Sequence, residues 1–216
     1  LRRCQQYGEA RRQLEQALAR APASIEANRE MAECLLAAGD LAGATGRYQE
    51  LADRQPGDSA LQIRLAELLL AGRRLDEAHA VGQALDRQLP DSPVGPLVLA
   101  TVYYARELWS ASADQCQAAL QRDSRSVAGR VLLGRVRMQQ GKPEEALASL
   151  HGLPAACRRE LEILLMMAEC HIEREDRTAA LDVLQQAMFW YPDSEAPHLL
   201  RARLHQAAGE PAEAIL

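Results

Sequence analysis

Apolar residues in this 216-residue chain recur at three- and four-residue spacing, in segments of about a dozen residues separated by short polar breaks. That period lays one apolar stripe along each of a succession of α-helices. One stripe runs Ile63, Leu65, Ala66, Leu68, Leu69 and Leu70, and the next Leu75, Ala78, Val81, Leu85 and Leu89. The pattern predicts an all-α chain of short helices joined by tight turns.

The pattern also repeats. "MAECLLAAGDLAGA" begins at Met31 and "MAECHIEREDRTAA" at Met167, 136 residues apart, which is four strides of 34. Written in rows starting at Ile25, Ser59, Pro93, Val127, Leu161 and Glu195, the chain keeps register without insertion or deletion. Column 8 of these rows is always small: Ala32, Ala66, Ala100, Gly134, Ala168 and Ala202. Column 20 is small as well: Ala10, Ala44, Ala78, Ser112, Ala146, Ala180 and Ala214. Column 7 is apolar from Met31 to Met167 and turns to Arg201 in the last row, while column 32 holds Pro22, Pro56, Pro90 and Pro192.

Each row reads as two helices. Short side chains let an antiparallel pair approach closely, and a leucine at either small column would cost about 1–3 kcal/mol by overpacking. Gly39, Gly141 and Gly209 occupy the turn inside three rows, where a left-handed residue closes a helix without Cβ strain. Arg73, Glu107 and Glu175 stand at that position in the others, so those turns either use another conformation or tolerate strain. Ser24, Ser59, Ser92, Ser126 and Ser194 are placed to cap the following helix, with Pro93 fitting a first helical turn. Pro154 falls inside a second helix, which is therefore expected to be short or kinked around "LHGLPAAC".

The period of 34, the small columns 8 and 20, the apolar column 7 and the proline at column 32 resemble the tetratricopeptide repeat. The resemblance spans the chain as one array: a partial row 1–24, full rows 25–58, 59–92, 93–126, 127–160 and 161–194, and a partial row 195–216. It departs from the family where aromatics are usual. Column 4 carries Asn28, Gln62, Pro96, Arg130, Leu164 and His198, and column 24 keeps only Tyr48. The resemblance implies a right-handed α-solenoid, a superhelix of stacked antiparallel helix pairs with neighbour-to-neighbour stability.

In that architecture the first helices line a concave face, with columns 2, 5, 9 and 12 pointing into it. The implied groove contains Arg29, Glu33 and Leu36, then Ile63, Glu67 and Leu70, then Leu97, Thr101 and Tyr104. It continues through Val131, Arg135 and Met138 to Leu165, Glu169 and Ile172, with Glu26 and Glu162 at column 2. Apolar anchors mixed with a few charges suit an extended peptide or an amphipathic helix. The glutamates favour basic groups on a partner. The family's clamp for acidic chaperone tails uses Lys and Asn at columns 5 and 9, and no row of this chain has that pair.

A net charge of −5 with dispersed arginines argues against a nucleic-acid surface. No stretch has the length of a membrane span. Five cysteines, Cys4, Cys34, Cys116, Cys157 and Cys170, form no CxxC and read as reduced thiols. Their odd number favours the cytoplasm; a periplasmic location requires a signal outside this stretch. Cys170, His171 and His205 make the most tempting metal cluster, yet equivalent atoms of neighbouring repeats lie roughly 10 Å apart and zinc ligands bind near 2 Å. No metal or cofactor is expected. Trp109 and "FWYPDS" at 189–194 are read as inter-repeat packing in preference to binding aromatics.

No nucleophile, phosphate loop or carboxylate pair appears in catalytic context, so the segment is expected to be non-catalytic. Leu1 and Leu216 fall inside helices of the repeat, an expectation that this is part of a longer protein. The sequence therefore points to a scaffold that binds a protein or peptide segment in its groove. Two alternatives remain open: the substrate-selecting arm of a larger enzyme such as a glycosyl- or sulfotransferase, and a spacer in a bacterial envelope-assembly or polysaccharide-export machine.

Overall fold

The computed structural model describes residues 2–207, and all regular structure among them is helical. The chain divides into two compact units, one ending at Ala105 and one beginning at Arg106.

The first unit holds α1 (Arg2–Arg20), α2 (Ile25–Ala37), α3 (Leu41–Arg54), α4 (Ser59–Ala71), α5 (Leu75–Gln88) and α6 (Val94–Ala105). Each helix packs on the next, and α4 also touches α6. The short connections leave successive helices antiparallel. Its core joins Met31, Leu35, Tyr48, Leu51, Leu61, Leu65 and Leu69, with Leu36 and Leu70 partly buried against it.

The second unit holds α7 (Trp109–Arg122), α8 (Val127–Gln139), α9 (Pro143–His151), α10 (Leu161–Glu173), α11 (Arg177–Trp190) and α12 (Glu195–Ala207). Neighbours again pack in order, and α10 additionally meets both α8 and α12. Its core is built on Leu147, Leu150, Ile163, Leu164, Met166, Met167, Cys170 and Leu184. As the proline predicted, α9 is short, with 9 residues against 14 in α3, α5, α7 and α11. A 3-10 turn at Cys157–Arg159 then leads into α10.

The small columns are sealed except at Ala202, which is half-buried. Ala32, Ala66, Ala100 and Ala168 of column 8 have no exposed surface, and neither do Ala44, Ala78, Ser112, Ala146 and Ala180 of column 20. A Cβ on Gly134 would stand 3.1 Å from Leu150 Cδ2, so that position has no room to spare. Ala10 and Ala214 fall outside the described side chains.

All five described turns inside the rows use one conformation. Gly39 and Gly141 have φ of 84° and 68°, and Arg73, Glu107 and Glu175 have 55°, 60° and 58°. The non-glycine turns therefore accept the left-handed strain. The reward is a helix-closing bond in which the next N–H reaches back five residues: Asp40 to Leu35, Arg74 to Leu69, Lys142 to Arg137 and Asp176 to His171, at 2.8–2.9 Å. Gly209 lies outside the described residues.

Three of the five expected serine caps are seen, and Ser59 is a correction. Ser24 and Ser126 accept from the N–H groups of Ala27 and Gly129, and Ser92 from Val94. Ser59 instead is the first residue of α4, and Asp58 accepts from Ala60 and Leu61, because a carboxylate one residue earlier reaches both open N–H groups. Asp40 and Asp176 cap α3 and α11 in the same way.

Candidate protein-docking surface

In the first unit the predicted groove residues sit on α2, α4 and α6, spaced four and seven residues apart on one helix face. Arg29, Glu33 and Glu67 are exposed, while Leu36, Ile63, Leu70, Leu97, Thr101 and Tyr104 are half-buried. Residues one or two positions away, such as Met31, Ala32, Leu65 and Leu69, are fully buried. The face is thus the outer margin of the core, and its apolar side chains keep part of their surface in solvent.

Two adjoining clefts open on this face. One, of about 430 Å³, is lined by Ile25, Glu26, Arg29, Glu30, Glu33 and Tyr48. The other, of about 350 Å³, shares Arg29, Glu33 and Tyr48 and adds Ala60, Ile63, Arg64 and Glu67. Between them lies a charged network. Tyr48 of α3 donates its hydroxyl to Glu33 Oε1 at 2.9 Å. Arg64 of α4 donates through Nη2 to both Glu33 oxygens at 3.1 Å and through Nη1 to Glu67 at 2.9 Å.

Burial, followed by the neighbouring Glu33 carboxylate, raises the Tyr48 pKa. The hydrogen bond that Arg64 donates to Glu67, followed by its interactions with Glu33 and Tyr48, raises the Arg64 pKa and keeps the guanidinium charged. The family's one surviving aromatic at column 24 therefore fills the core with its ring and orders the groove with its hydroxyl.

In the second unit α8 carries Val131, Arg135 and Met138, and α10 carries Leu165, Glu169 and Ile172. All are half-buried except Glu169, which is exposed. Val131, Met138 and Leu165 also pack against the core. Arg135 pairs with Glu162 across the two helices. Partial desolvation and the nearby Glu173 raise the Glu169 pKa.

Sequence reasoning missed Arg64, which sits at column 6 and ties Glu33 of one row to Glu67 of the next. The signal available was its position three residues before Glu67, a spacing at which helix side chains meet.

The residues of the candidate metal cluster each turn to a different neighbour. Cys170 Sγ approaches Met138 Sδ at 3.1 Å, His171 Nδ1 stands 3.7 Å from Asp176, and Arg177 donates to His205 Nδ1 at 3.2 Å. Among the described residues no three His, Cys, Asp or Glu side chains gather as metal ligands. Cys34, Cys116, Cys157 and Cys170 are free thiols. The aromatic segment divides: Tyr191 packs against the core of the second unit as expected, whereas Phe189 is 74% and Trp190 47% exposed, with Arg159 stacked 4.9 Å from the Trp190 ring centre. No described helix is long and apolar enough to cross a membrane.

This arrangement, paired helices at a fixed stride with a half-open face, defines a helical-repeat binding module. Tetratricopeptide repeat models match residues 4–62, 35–100 and 97–158, and the chain belongs to the tetratricopeptide repeat family. No curated protein matches it.

Solved structures share the fold. A tetratricopeptide repeat protein from Parabacteroides merdae ATCC 43184 is 14% identical with a TM-score of 0.77, covering 96% of this chain and 82% of its own. PilW, a type IV pilus biogenesis factor, is 16% identical with a TM-score of 0.76 over 87% of each chain. A chain of the APC/C hetero-tetramer Cut9-Hcn1 is 13% identical with a TM-score of 0.76; this chain is covered to 98% but spans only 41% of that one. The tetratricopeptide repeats make the protein an interaction scaffold, on a fold that is generally non-catalytic.

Proposed function

We propose that the repeats at 25–58, 59–92, 93–126, 127–160 and 161–194 hold an extended or helical segment of a partner protein on the faces of their first helices. In the first unit such a segment lies along α2, α4 and α6; in the second, taken by itself, α8 and α10 offer a face of the same kind. The observation that carries this reading is the half-buried apolar series Leu36, Ile63, Leu70, Leu97 and Tyr104 in the first unit, matched by Val131, Met138, Leu165 and Ile172 in the second. These side chains leave apolar surface in water beside charged groups, the composition of a groove that takes apolar anchors and polar flanks.

A photo-reactive amino acid placed at Thr101 should cross-link a discrete partner, and the pair Leu97→Asp, Tyr104→Ala should abolish that cross-link at unchanged helicity. Cross-linking that persists in the double variant removes the groove from this role.

A finer role in bacterial envelope assembly rests on fold likeness to PilW and to Pseudomonas aeruginosa PilF. Fractionation of cells producing the full-length protein tests it: recovery solely in the soluble cytoplasmic fraction counts against that role and leaves the groove reading intact.

A further inference from the structure

Charge is distributed unevenly along the groove of the first unit. α2 carries Glu26, Arg29, Glu30 and Glu33, α4 carries Arg64 and Glu67, and α6 carries no charged residue. All six charged side chains line the two adjoining clefts, and among the described residues no charged side chain of α1, α3 or α5 does. α4 is balanced, so the excess negative charge of the groove belongs to α2, where three glutamates face one arginine.

Only part of this charge is matched within the protein. Arg64 bridges Glu33 and Glu67. Glu26, Arg29 and Glu30 are exposed and enter no hydrogen bond or ion pair among the described residues. At the other end of the face, Val94, Leu97, Thr101 and Tyr104 of α6 are half-buried and keep some surface in water.

The two ends therefore reward different chemistry. A cation at α2 meets excess negative charge while it stays hydrated, and an anion there is repelled. Along α6 a charge would lose hydration with nothing to pair it, whereas an apolar side chain gains by burial. At the usual helix spacing of roughly 10 Å, α2 and α6 stand about 20 Å apart, the reach of about six extended residues.

We propose that this groove is polarised and takes a partner segment that is basic at one end and apolar at the other. The cations lie against Glu26 and Glu30 of α2, and the apolar end lies along Leu97 and Tyr104 of α6. This rests on the groove reading and adds the chemistry and the placement of the segment.

The probe is the nonapeptide Lys-Arg-Lys-Gly-Ser-Gly-Leu-Phe-Leu, made in both chain directions, with a counterpart in which glutamate replaces each cation. Fluorescence anisotropy reads binding. In its better direction the basic peptide should bind at least about fivefold more tightly than the acidic one, an advantage that shrinks as salt rises. Glu30→Gln should loosen it about two- to fivefold, and Arg29→Gln should tighten it by a similar factor. Opposite signs at neighbouring exposed positions are what a charge role gives and a structural role does not. A benzophenone in place of the peptide phenylalanine should attach to α6, and one in place of its arginine to α2. No binding of the basic peptide, equal affinity for the acidic one, shifts of the same sign in the two variants, or adducts that do not sort by helix each overturn the proposal. Failure of the groove itself shows separately, as a partner cross-link from Thr101 that is absent or persists in the Leu97→Asp, Tyr104→Ala variant.

Discussion

Gln62 donates its side-chain amide to the carbonyl of Pro56, six residues earlier, at 2.7 Å. Asn28 makes the same reach to Pro22 at 3.1 Å, and Arg130 to Ser124 at 2.9 Å. All three stand at column 4, where the family commonly has an aromatic ring. In these three rows a donor ties the start of the first helix to the turn that precedes it, satisfying a carbonyl that the helix ladder does not reach. Asn28→Leu should therefore lower stability by about 1–3 kcal/mol in spite of its greater hydrophobicity, because the Pro22 carbonyl loses a donor. Gln62→Leu should lose less, since the Pro56 carbonyl keeps Gln88 Nε2 at 2.8 Å. Urea unfolding monitored by circular dichroism checks the sign; a stabilised variant would show the bond to be dispensable.

The left-handed turns give a prediction of opposite sign. A side chain at positive φ costs about 1–2 kcal/mol, partly offset by the stiffer unfolded chain that a non-glycine residue brings. Arg73→Gly and Glu175→Gly should each stabilise by roughly 0.5–1 kcal/mol, and additively, since they lie in separate units. Gly39→Ala should lose a similar amount. Midpoints from chemical denaturation at constant slope measure all three.

Helix propensity and packing disagree at Gly95, and packing should win. Alanine in place of glycine inside a helix is ordinarily worth up to about 1 kcal/mol, and Gly95 stands in the first turn of α6. At Gly95 a Cβ would stand 2.5 Å from the backbone N and Cα of Asp86, atoms that move only with α5. Gly95→Ala should thus destabilise by about 1–3 kcal/mol. Gly46, in α3 with nothing within 4 Å of its Cβ position, is the control and should stabilise. Thermal melts of the two variants should move in opposite directions.

These particulars mark what the sequence made legible. A stride of 34 with sealed small columns was readable because a period repeated six times constrains both helices and turns. The groove face followed from spacing four and seven residues apart. Column 4 was read as a departure from the family, since a donor's target carbonyl is a tertiary fact that spacing does not carry. Gly82 is similar: it replaces an aromatic at column 24, and only the fold shows Val98 Cγ1 2.9 Å from its Cβ position. Phe189 and Trp190 were assigned to packing by column, whereas exposure depends on what the next helix covers.

Burial separates the cysteines. Desolvation pushes the thiols of Cys116 and Cys170 up to about 12 from the usual 9.0. Cys34 is half-buried. Iodoacetamide at pH 8.5 should modify Cys34 in the native protein and reach Cys116 and Cys170 only after denaturant is added, as peptide mapping would show. Both raised groups hold protons more tightly folded than unfolded. Their stabilising contribution is complete below pH 9 and is lost as pH rises through 12. Unfolding free energy should accordingly fall across that window, and Cys116→Ala should flatten the slope; an unchanged slope would mean the buried thiol does not govern alkaline stability.

The Glu33–Arg64–Glu67 network should matter little to folding. The side chains are 48%, 38% and 57% exposed, and ion pairs with that much solvent contribute about 0–1 kcal/mol. Arg64→Ala and Glu67→Ala should each shift stability by less than about 1 kcal/mol, and a double-mutant cycle between Glu33 and Arg64 should give coupling within the same limit. Tyr48→Ala should cost about 3–5 kcal/mol, since the ring is 3% exposed in the core. This separation makes the charged positions usable probes: lost partner cross-linking in Arg64→Ala or Glu67→Ala, with folding intact, reports on docking. A loss above 2 kcal/mol in Arg64→Ala would identify Arg64 as a structural tie between α2 and α4 and withdraw it from the docking surface.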